Sequence, residues 1–212
     1  MLTIHAADLV LPGGGRAPVP GGAVVVRGAE IAAVGPYEEV SAAHPQARVR
    51  RWPGVLTRAL LNPFGPELLE RAYHPDPREA DELGTEPVTG EALTALAMDE
   101  ARWGASARRG LQRMLAHGTV AVAGAYERPA VQEAVRRSGL IQAGRAPAPP
   151  EGVPALDPYA TGIPVAHLHQ LAAGNHARFA VFAVADESEL LARGARACVA
   201  TVLDGRLVFR RR

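Results

Sequence analysis

Lysine is absent from this 212-residue chain, so all 23 of its fixed cations are arginine, against 22 Asp and Glu and a net charge of +1. A balance this close to neutral excludes the strong positive field that draws nucleic acid or an anionic membrane surface. With Ala, Gly and Pro abundant, the exclusive use of Arg reads as GC-rich codon bias rather than phosphate recognition. The single cysteine, Cys198, excludes an internal disulfide and fits a reducing compartment. It lies in the apolar run "ACVATVL" and reads as a small buried hydrophobe rather than a nucleophile. No run approaches the roughly 20 apolar residues needed to span a bilayer. The N-terminus has no basic stretch leading into an apolar core, so no signal peptide is expected and the chain reads as cytoplasmic.

What is present is an ordinary soluble composition, 48% hydrophobic and 21% charged. Residues 1–56 read as short strands separated by turns. "AVVVRGAEIAAVG" predicts a hairpin joined at Arg27-Gly28, and "YEEVSAAHP" a short helix stopping before Pro45. The character then changes. "VLTRALLN" predicts a buried strand, and residues 90–118 a long helical segment with a possible break at Gly104 and a stop at Gly118. "TVAVAGA" reads as a strand, "RPAVQEAVRRSG" as a helix opened by Pro129 and closed by Gly139, and "LIQAG" as a third strand. Strand, helix, strand, helix, strand is the pattern of a parallel sheet with right-handed crossovers. A Pro-rich stretch follows, and the chain ends in β-type sequence with a hairpin at Asp204-Gly205. The fold class expected is α/β plus β. Residues 1–56 and 165–212 would form a β-sandwich from both chain ends, 57–146 a partial TIM-like α/β barrel, and 147–164 a linker.

Particular residues resemble the amidohydrolase superfamily, in its imidazolonepropionase-like and aminofutalosine-deaminase-like members. "ADLVLPGGG", "GAVVVRGAEIAAVGP" and "GVLTRALLN" look like that family's opening strands and first barrel strand. "SARRGLQRMLAHGTVAVAG" looks like its first barrel helix and second strand, and "LAAGNHARFAVFAV" with "VATVLDGRLVFR" like its closing strands. The resemblance implies a metal-dependent barrel whose first strand runs into Asn-Ala-His-x-His, the two histidines binding the cation. Here that stretch reads Asn62-Pro63-Phe64-Gly65-Pro66. Neither Phe nor Pro can coordinate a metal. A complete barrel would need about 150 to 200 more residues after the third candidate strand. The expectation is therefore a protein without the family's metal centre and without a cofactor, binding a small molecule or a protein partner.

Three alternatives bear on the site. His167 and His169 would point the same way on an extended segment, which could rebuild a Zn site. Glu67 or Glu127 could activate water directly, with His74 nearby in the segment after the first strand. Either would restore an enzyme acting on a carbon–nitrogen bond of a small cyclic or nucleoside-like substrate, by resemblance to aminofutalosine deaminases of menaquinone biosynthesis. The third is a purely structural subunit. Ligands in parallel α/β folds sit at the C-terminal strand ends, which selects Asn62, Phe64, Tyr126, Gln142 and Arg145 as binding candidates. Three strands of a barrel would leave edges open, so a homo-oligomer or a complex with a related chain is expected.

Overall fold

The computed structural model describes residues 2–144 and 151–211. The chain opens with β1 (Leu2–Leu11), β2 (Val19–Pro20) and the hairpin β3 (Gly22–Arg27) and β4 (Glu30–Pro36), followed by α1 (Tyr37–Ala43) and β5 (Arg48–Arg58). β1 pairs antiparallel with β3 and parallel with β5. A bulge at Asp8 shifts the β1/β5 register, and its Oδ2 accepts the amide of Gly54 at 2.6 Å. Gly54 has φ +80°, and a Cβ there would lie 2.3 Å from the Phe182 carbonyl oxygen, so only glycine fits.

A single residue, Ala59, separates β5 from β6 (Leu60–Asn62). The candidate strand "GVLTRALLN" is thus shared between two sheets. After β6 come α2 (Gly65–Leu69), α3 (Ala80–Leu83), α4 (Gly90–Thr94), α5 (Glu100–Ala116), β7 (Thr119–Ala123), α6 (Pro129–Ser138) and β8 (Ile141–Ala143). The closing part holds β9 (Ala166–His167), β10 (Phe179–Phe182), α7 (Glu187–Arg193), β11 (Cys198–Leu203) and β12 (Arg206–Arg210).

These strands form two sheets among the described residues. The larger runs β12-β11-β10-β5-β1-β3-β4 with β2 beside β1, so both chain ends feed one sheet. Where a two-layer sandwich is expected from the chain ends, the structure has one curled sheet. Its curl is visible where the β3–β4 turn meets the segment before β10. Ile31 donates to the Asn175 carbonyl at 2.8 Å, and Ala177 to that of Ala29 at 2.8 Å. Val24, Val26 and Ile31 therefore share a core with Phe179, Val181, Ala200 and Val202. The opposite face of β1 and β3 packs on Val40 of α1.

The smaller sheet runs β8-β7-β6-β9, with β6, β7 and β8 parallel and β9 antiparallel. Among the described residues it does not close into a barrel. β7 is buried throughout, as a parallel strand covered on both faces must be. α5 lays Trp103, Ala107, Leu111 and Met114 on this sheet and on α6, the spacing of one helical face. The break in the long helical segment falls at residues 95–99, not at Gly104. Asp99 caps α5 by accepting the Arg102 amide, whereas Gly104 sits inside the helix facing Ala130 of α6. Gly139 closes α6 in the left-handed conformation, as expected. No helix among the described residues is long and apolar enough to cross a membrane.

Candidate functional site

The residues after β6 are held by packing. Asn62 is buried, accepts the Phe64 amide at 3.0 Å, and donates through Nδ2 to the Ala155 carbonyl at 2.8 Å. Phe64 is 2% exposed and lies in the apolar cluster of Leu68, Leu111 and Val122. Gly65 and Pro66 begin α2 and are buried too. A Cβ at Gly65 would come within 2.3 Å of the Tyr126 hydroxyl, so glycine is what lets that ring approach. Tyr126 itself is buried, and its hydroxyl has no hydrogen-bond partner among the described residues. Burial, and then the charges of Glu70 and Glu67, push its pKa up.

His74 is 1% exposed. Its Nε2 lies 2.8 Å from the Leu68 carbonyl, which can only accept, so Nε2 carries the proton and Nδ1 is a bare, buried nitrogen. Burial is the main cause that brings its pKa down to about 4. Its amide donates to Ser106 Oγ at 2.9 Å and its carbonyl accepts from Arg109 at 2.8 Å, both from α5. Nearby, Tyr73 donates to Glu79 at 2.5 Å and Arg102 binds both groups. The charged segment "YHPDPREADE" is therefore fastened to α5.

Glu127 lies at a smaller pocket with Glu70, Arg71 and Arg128. There Glu70 Oε1 accepts the amides of Glu127 and Arg128 at 2.9 and 2.7 Å, and Glu100 accepts that of Ala130 at 3.2 Å. Two carboxylates thus satisfy the amides at the start of α6. Gln142 donates to the Gly124 carbonyl at 3.1 Å. Arg145 lies outside the described residues.

His167 is half-buried on β9 and His169 is exposed. Among the described residues no group of three or more His, Cys, Asp or Glu is arranged to hold a metal. His176 bonds instead to Asp204 at 3.0 Å. Phe64 and Pro66 are buried in the packing, and neither side chain carries a donor for the cation that the resemblance implies.

Of the sequence candidates, Glu67 lines a cleft of about 740 Å³ between α2, the end of α5, residues 154–160 and α7. Its walls combine Leu68 and Leu156 with Glu86, Arg113 and Asp157. Arg113 is turned to the Thr85 carbonyl at 2.8 Å and to Glu86 at 3.3 Å. His117, also on the wall, donates Nδ1–H to the Arg113 carbonyl at 2.8 Å, closing the α5 C-terminus. Asp157 accepts the amides of Tyr159 and Ala195 at 2.9 and 3.0 Å, which fixes residues 157–160 to the end of α7. The cleft is thus a preformed, mixed polar and apolar concavity of ligand-binding size. Arg113, Asp157 and Tyr159 were not singled out in the sequence; "LDPYA" carried an Asp-Pro turn signal but nothing that tied it to a cleft.

Residues 22–47 match the family described as imidazolonepropionase-like composite domain, bacteria. No curated protein matches the chain. Among solved structures, A. niger ochratoxinase is similar over 68% of this chain and 31% of its own, at 21% identity and TM-score 0.45. Helicobacter pylori aminofutalosine deaminase is similar over 68% and 33%, at 16% identity and TM-score 0.41. An amidohydrolase from an environmental sample of the Sargasso Sea is similar over 68% and 33%, at 21% identity and TM-score 0.44. The chain spans about a third of the length of these structures. The matched residues 22–47 take in β3, β4 and α1.

Proposed function

We propose that this chain is an amidohydrolase-like binding protein that works without the family's metal centre and takes a small polar ligand in the cleft beside Glu67. One observation carries the reading: Phe64, at a position where the resemblance requires a metal ligand, is 2% exposed inside an apolar cluster. A site built that way cannot present a donor to a cation. The cleft supports ligand binding independently, because carboxylates, guanidinium groups and apolar side chains converge there. The lining offers both hydrogen-bond donors and acceptors, and the resemblance makes nucleosides and cyclic amides the compounds to test. The buried Cys198 thiol suits a reducing, cytoplasmic setting.

The open edges of the small sheet support a partner. β8 pairs with β7 alone and β9 with β6 alone among the described residues. A second copy, or a related chain, pairing along β8 would satisfy its free backbone groups. Light scattering at micromolar concentration then gives a dimer or larger species, and a monomer removes this part of the proposal.

The function itself is tested on protein purified without an affinity tag. Metal analysis gives sub-stoichiometric Zn and Fe, and a thermal-shift screen finds a nucleoside or cyclic amide that stabilises the fold. A ligand at a hundred times its Kd adds about 2.7 kcal/mol, a shift of roughly 5–10 °C for a chain of this size. One equivalent of tightly held Zn, with hydrolysis of a cyclic amide or deamination of a nucleoside, overturns the binding-protein reading.

A further inference from the structure

A second, smaller cavity of about 210 Å³ lies where the two sheets meet, sharing the wall formed by Tyr159 with the cleft. Thr57 and Arg58 at the end of β5, Tyr159, and His167 of β9 line it, together with Arg16 and Glu187. Arg58 is positioned by the backbone: its side chain lies across Gly13, where a Cβ would be 2.2 Å from Arg58 Nε. Gly13 also has φ +73°, so both its conformation and its bareness are needed here. That Nε is buried and has no hydrogen-bond partner among the described residues. A guanidinium cannot shed its charge, and it presents five N–H donors in a fixed fork shaped for an oxyanion.

The groups around Arg58 do not neutralise it. Burial and the Arg58 charge bring the His167 pKa down to about 4, so this ring is an uncharged neighbour. Burial, and then Asp157 and Glu187, push the Tyr159 phenol up to about 12, so it keeps its O–H. Arg16 and Glu187, which also line the cavity, are both exposed and of opposite sign, and neither forms an ion pair with Arg58 among the described residues. One fixed positive charge with an unmet donor remains inside a cavity of about 210 Å³.

We propose that this pocket at the seam of the two sheets binds a small oxyanion, a carboxylate or inorganic phosphate, through the guanidinium of Arg58 with Tyr159 beside it. The site does not depend on what occupies the larger cleft. An anion bound there would join the end of β5 to β9 and to the turn at residues 158–160, across the seam.

The test is isothermal titration calorimetry of the full chain at pH 7.5 and fixed ionic strength, with acetate and inorganic phosphate as separate probes and chloride as the control. Saturable binding of acetate or phosphate, absent with chloride, is expected, and the probe that binds tighter names the source. Arg58→Gln weakens it by about tenfold or more, the loss of one charge-assisted contact, and Tyr159→Phe by a smaller factor. Glu187→Gln leaves it unchanged or tighter. The proposal is overturned by the absence of saturable binding, by equal binding in Arg58→Gln, or by Glu187→Gln abolishing it. Should Arg58→Gln fail to fold, phenylglyoxal labelling of the unaltered chain gives the answer by mass spectrometry. Labelling at Arg58 slowed by the bound probe supports the site, and labelling unaffected by it overturns the site.

Discussion

The side-chain amide of Asn62 donates a 2.8 Å hydrogen bond to the carbonyl oxygen of Ala155, joining the end of β6 to a wall of the cleft beside Glu67. The same side chain accepts the Phe64 amide, so one residue orders both the turn into α2 and the strand of chain that faces it. Asn62→Ala leaves a buried N–H and a carbonyl unmet and should cost about 2–4 kcal/mol. Urea unfolding checks this, as a lowered midpoint with an unchanged slope. Asn62→Asp keeps the acceptor and loses the donor, and should weaken ligand stabilisation in the cleft as well. A silent Asn62→Ala would mean that residues 154–160 are held by other contacts alone.

Gly110 is in the middle of α5, where alanine is normally preferred by about 1 kcal/mol. Here a Cβ would lie 2.6 Å from His74 Nε2. Gly110→Ala should therefore destabilise the fold, by about 1–3 kcal/mol, against its helix propensity. A raised melting temperature would show that His74 can leave its bond to the Leu68 carbonyl without cost.

His5 and His74 are buried, and burial is the first cause that brings each to about 4 from 6.5. The unfolded chain takes up protons near pH 6.5, whereas the folded chain does not until about pH 4. The stability these rings contribute is full above pH 6.5 and is lost as pH falls toward 4, on the order of 2–3 kcal/mol for each. Urea midpoints measured at pH 7.5, 6 and 5 should fall continuously. A midpoint that stays flat from pH 7.5 to 5 would contradict buried neutral rings.

Glu70 accepts two amides at the start of α6 with one oxygen. Glu70→Ala should cost about 1–2 kcal/mol and speed hydrogen exchange at Glu127 and Arg128, the amides it releases. Exchange unchanged at both would show that water or Glu100 replaces it.

Much of the fold was legible because local chemistry decided it. Arg27-Gly28 and Asp204-Gly205 form the expected hairpins, and Pro129 and Gly139 bound α6. What stayed hidden was tertiary. Gly104 read as a break because the packing of Ala130 against it is invisible along the chain, while Asp99 supplied the true cap. "GVLTRALLN" read as one strand because nothing local marks Ala59 as the point where pairing changes from β10 to β7. α7 went unpredicted although Asp186 caps it by accepting the Glu189 amide. At the site, the non-ligating residue types at Phe64 and Pro66 were readable directly. The partners of His74 and the lining of the cleft were not, because they come from segments tens of residues away.

The passage from one sheet to the other through Ala59 alone leaves no slack for a hinge. Ala59 is fully buried, receives the Leu168 amide at 3.0 Å and donates to the Arg178 carbonyl at 3.4 Å. A tug on either sheet is therefore delivered directly to the other. The molecule should melt in one cooperative step, with no half-unfolded species in which one sheet survives its neighbour.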